Sequence, residues 1–145
     1  MIEDMIKDII NSKLTPAEKL FLVAEWILRS HEPYELPDLK LPDILDAVKS
    51  VVVRQLPSGF LKNALEEVKS LLHIEDQRRL LPLLIGLAYY SYVDSEFVYE
   101  HEIRREMMSK VSELGYEVQE IEKFYEKWVS AVGNDETLFN KISEK

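Results

Sequence analysis

Five carboxylates gather between positions 94 and 106: Asp94, Glu96, Glu100, Glu102 and Glu106. Glu96 and Glu100 are four apart, as are Glu102 and Glu106, so on a helix each pair shares a face. A hard cation such as Ca²⁺ or Mg²⁺ takes several oxygens that converge from a loop and the next helical turn. Asp94, Glu96 and Glu100 can supply that set. The same side chains also suit the first turn of a helix with no metal present, because the macrodipole favours negative charge there. No calcium loop of alternating Asp and Asn ending in a glutamate accompanies them.

Aromatic residues crowd the same stretch. Tyr89, Tyr90, Tyr92, Phe97 and Tyr99 read mainly as core, with hydroxyls reaching the edge. Tyr90 and Tyr92 cannot both face where Tyr89 faces, so at least one of them is expected at the surface. There Tyr90, Tyr92 and His101 would form a partner-binding edge. His101, between Glu100 and Glu102, reads first as a solvated histidine and second as a ligand or proton carrier. His31 and His73 fall at helix ends, where an imidazolium complements the dipole.

Other chemistries lack their residues. There is no cysteine, so disulfides, thiolate metal sites and cysteine nucleophiles are excluded. No His-Glu-x-x-His occurs, and no glutamate lies three before any histidine, as zincins and di-iron bundles require. Four glycines leave no phosphate-cradling loop, and no Gly-x-Ser-x-Gly is present. Nothing names a paired acid and base, so the expectation is a protein that is not an enzyme. The net charge of −9 repels a phosphate backbone, and the longest basic runs are Arg78-Arg79 and Arg104-Arg105, both beside carboxylates. Nucleic acid is therefore not an expected partner. Without a secretory leader or a membrane-length apolar run, the chain is expected in the cytoplasm. Abundant Glu, Lys and Ile give it a thermophile-like composition.

The elements that must position these residues are helical. With 145 residues, 46% of them apolar, the chain is long enough for one domain with a real core, spanning 1–145. Ile2, Met5, Ile6, Ile9 and Ile10 make one stripe at helical spacing. Thr15-Pro16-Ala17-Glu18 predicts an N-cap, a first-turn proline and a capping box. Leu20, Phe21, Val23, Ala24, Ile27 and Leu28 follow as the buried face of that helix. From His31 to Pro42 three prolines predict an ordered loop whose Tyr34, Leu36, Leu39 and Leu41 dock onto the body. Two further helices, around Ile44–Leu56 and Phe60–Leu72, are joined by Pro57-Ser58-Gly59 and should pack antiparallel.

Asp76 is a possible cap. Leu80 to Val93 is apolar on nearly every side and predicts a central helix, with Gly86 accepted for close approach of a neighbour. The chain should break at Val93-Asp94-Ser95, Asp94 or Ser95 capping a helix whose core face is Tyr99, Ile103, Met107, Val111 and Leu114. Gly115 then ends it. Ile121, Phe124, Tyr125, Trp128, Val129 and Val132 mark the next helix, and Leu138, Phe139 and Ile142 a short last one. The expected fold is all-α: a single-domain bundle of seven or eight helices with no sheet.

One family shares this arrangement. Leu84, Leu87 and Ala88, then Asp94 and Glu96, then Glu100, followed by Glu113-Leu114-Gly115 and Glu120-Ile121-Glu122, resemble the tellurite-resistance TerB-like helical domain. The likeness covers the central helix and the final third of the chain. Ser95 stands where that family has a glycine, and Glu32 and Glu35 occupy the region of its second acidic corner. The resemblance implies an all-helical fold and metal-linked stress or membrane-complex roles. Two readings follow. One is a domain that binds a divalent cation or a protein partner at the acidic corner. The other is a structural or self-associating module with no ligand site.

Overall fold

The structure, a computed structural model, describes residues 2–30, 40–96, 105 and 108–132. Six α-helices lie among the described residues: α1 Ile2–Ile10, α2 Pro16–Arg29, α3 Leu41–Gln55, α4 Phe60–Leu72, α5 Leu80–Glu96 and α6 Val118–Val132. Two short 3-10 segments, Gln77–Arg79 and Lys110–Leu114, join them, and there is no strand among these residues. The all-α class holds. Among the described residues the count is six rather than seven or eight; the helix expected around Leu138–Ile142 lies outside them.

Two helices form the centre. From Leu80 to Val93 α5 is buried at every position except Pro82 and Tyr90, as an all-round apolar segment should be. Helix α2 is its main neighbour, and α1, α3 and α4 also pack on α2. That explains why Leu22 is fully buried although it lies off the stripe that the spacing marks. The expected antiparallel pairing of α3 with α4 does not occur as a major contact. Each lies chiefly on α2 instead, because Leu41, Ile44 and Val48, like Ala64 and Val68, spend their apolar faces on the central helix layer.

Helix starts are where this fold uses its acidic residues. At α2, Thr15 accepts the Glu18 amide, and the Glu18 carboxylate accepts the Thr15 amide at 2.9 Å. Glu67 from α4 adds a second layer: its Oε2 accepts the Thr15 hydroxyl at 2.5 Å and its Oε1 the Ala17 amide at 3.3 Å. At α3 the N-cap is Lys40, which offers no side-chain acceptor, and the Leu41 amide donates instead to Glu113 Oε2. Orphan amides at helix starts must find acceptors. Here carboxylates from distant elements serve.

The glycines fall as their roles require. Gly115 (φ +89°) and Gly59 (φ +87°) occupy the left-handed region at turns. Gly86 faces Ile121 of α6, whose Cδ1 would lie 2.9 Å from an added Cβ. The close approach expected at that glycine is therefore real. His73 adopts the left-handed conformation (φ 58°) at the end of α4, donating its amide to the Lys69 carbonyl at 2.8 Å.

Candidate functional site

The site is the end of the bundle where α2 finishes and α5 finishes. Glu25, Trp26 and Arg29 occupy the last two turns of α2. Glu25 is fully buried, and its Oε1 receives the Arg29 Nη2 at 2.9 Å. A charge at that depth persists only when paired. The Arg29 guanidinium also lies over two rings, 5.0 Å from the Tyr92 centroid and 5.9 Å from that of Trp26. A planar cation can stack on rings while its edge binds a carboxylate, which an ammonium does less well. Sequence reading overlooked this pair. Its signal was a glutamate inside the apolar run Leu20–Leu28, four before an arginine.

The tyrosines divide as the helical period demands. Tyr89 is fully buried, and its hydroxyl has no hydrogen-bond partner among the described residues. Burial, then the nearby Glu113 carboxylate and Tyr92, push its phenol well above the usual range. Tyr92 turns inward to Arg29 and is 4% exposed, so it builds a wall behind the surface. Tyr90 is half-buried, its ring tilted against Tyr125 of α6 at 5.0 Å. Of the two tyrosines, Tyr90 is the one that is partly exposed, whereas Tyr92 is buried.

The acidic corner differs in one respect from expectation. Helix α5 does not break at Val93-Asp94-Ser95; its backbone continues to Glu96. Neither Asp94 nor Ser95 therefore starts a new helix, and the positions 94 and 96 belong to the last turn of α5. A short apolar segment followed by Asp-Ser carries a local capping signal, but helical propagation through one more turn overrides it. The side chains at 94 and 96 lie outside the described residues, as do Glu100 and His101. Among the described residues no group of three His, Asp or Glu side chains is placed to hold a metal ion.

Beyond the corner the chain returns through Lys110–Leu114, a 3-10 segment with Val111 buried as expected. Met108, at 5% exposure, is a core residue that the spacing did not mark; Tyr99, Ile103 and Met107 lie outside the described residues. Glu113 and Arg79 pin this return. Arg79 donates from Nη2 to the Gly115 carbonyl at 2.9 Å, and its guanidinium lies 4.1 Å from the Tyr116 ring centroid. The Tyr116 hydroxyl donates to the Arg79 carbonyl at 2.5 Å, and burial pushes its phenol up to about 12.

This geometry offers recognition chemistry: a fixed guanidinium between rings, a phenol edge beside a second phenol, and carboxylate positions on the adjoining helical turn. No helix among the described residues is long and apolar enough to cross a membrane. No protein-family model, curated protein or solved structure matches this chain. The family likeness accordingly stands on its residues alone.

Proposed function

We propose that this chain is a non-enzymatic helical domain, similar in kind to TerB-like proteins, that binds at the end of α5. Its ligand is a divalent cation held by Asp94, Glu96 and Glu100, or a protein partner laid across the Tyr90 edge. The observation that carries this reading is the wall behind that edge. Glu25, Arg29 and Tyr92 hold one another by an ion pair and ring stacking, so the surface in front of them has a fixed backing. Preorganisation of that kind lowers the ordering cost of binding.

Calorimetry with Ca²⁺ and Mg²⁺ on the wild-type chain and on Asp94→Asn/Glu100→Gln tests the cation. Heat with the wild type and none with the variant is the expected result. No heat and no thermal shift with either, at millimolar metal, removes the cation from the reading. Sedimentation over a concentration series tests a second copy of the chain as the partner, with Tyr90→Ser expected to weaken any association.

A further inference from the structure

We draw no further inference here: the strongest candidate, the open groove between the end of α4 and α6 with Leu71 and Ala131 on its lining, carries nothing because Lys123 and Lys127 alternate with Glu122 and Glu126 along α6 and nothing in the structure shows what covers it.

Discussion

Glu113 accepts the Leu41 backbone amide at 3.2 Å across 72 positions of sequence, so the start of α3 is capped by the segment that precedes α6. Losing an N-cap acceptor costs about 1 kcal/mol. Glu113→Ala should lower the urea-unfolding free energy by about that amount, and Glu113→Gln, which keeps an oxygen acceptor, by less. Equal stability of Glu113→Ala and wild type would show that water replaces this cap without loss.

Glu67 and Thr15 form the second long-range cap. Because Glu67 serves both the Thr15 hydroxyl and the Ala17 amide, Thr15→Ala and Glu67→Ala should not add. A double-mutant cycle by chemical denaturation should give a coupling of about 0.5–1 kcal/mol. Additivity within error would mean that the Thr15–Glu67 hydrogen bond adds nothing to stability.

Gly86 tests the approach of α5 to α6. Alanine gains about 1 kcal/mol in helix propensity, but its Cβ meets Ile121 Cδ1 at 2.9 Å. That atom ends a buried side chain, so the two effects should nearly cancel and Gly86→Ala should stay within about 1 kcal/mol of wild type. In an Ile121→Val background the colliding atom is gone, and the same substitution should become stabilising by about 1 kcal/mol. If Gly86→Ala destabilises equally in both backgrounds, the contact is not what holds the glycine.

Alkaline pH should expose the buried phenols. The folded-state pKa of Tyr116 is raised to about 12 and that of Tyr89 is raised as well, chiefly by burial. An acid whose folded pKa exceeds its unfolded value stabilises the fold in full below the unfolded pKa, near 10, and loses that contribution as pH rises through the folded one. Stability should therefore fall steadily above about pH 10. Tyr89→Phe should flatten that fall. It should also be neutral or slightly stabilising at pH 7, since the Tyr89 hydroxyl has no partner among the described residues. Loss of more than about 1 kcal/mol at pH 7 would show a hydrogen bond there.

Much of this architecture is readable from short-range patterns. Thr15-Pro16-x-Glu18 encodes its own cap, Asp76 caps the turn to α5, and the stripe from Ile121 to Trp128 faces inward as its period requires. What escaped depends on residues distant in sequence. Glu67 and Glu113 look like solvated glutamates until the fold brings a helix start to each. Arg29 is invisible as a site residue until Tyr92 arrives from α5. The end of α5 escaped because a capping signal at Asp94-Ser95 is local, whereas the continuation to Glu96 depends on the helix already formed. The likeness to TerB-like domains drew on Glu113-Leu114-Gly115, and two of those residues have structural work of their own here: a remote cap and a left-handed turn.

The most direct test of binding at the end of α5 is an amide NMR spectrum of the full chain, recorded with added Ca²⁺ or Mg²⁺ and again over a range of protein concentrations. Shifts confined to the amides of residues 89–100 in either series, lost in Asp94→Asn/Glu100→Gln for the metal and in Tyr90→Ser for self-association, are the predicted result. Amides there that stay fixed at millimolar metal and at high protein concentration alike would contradict the account.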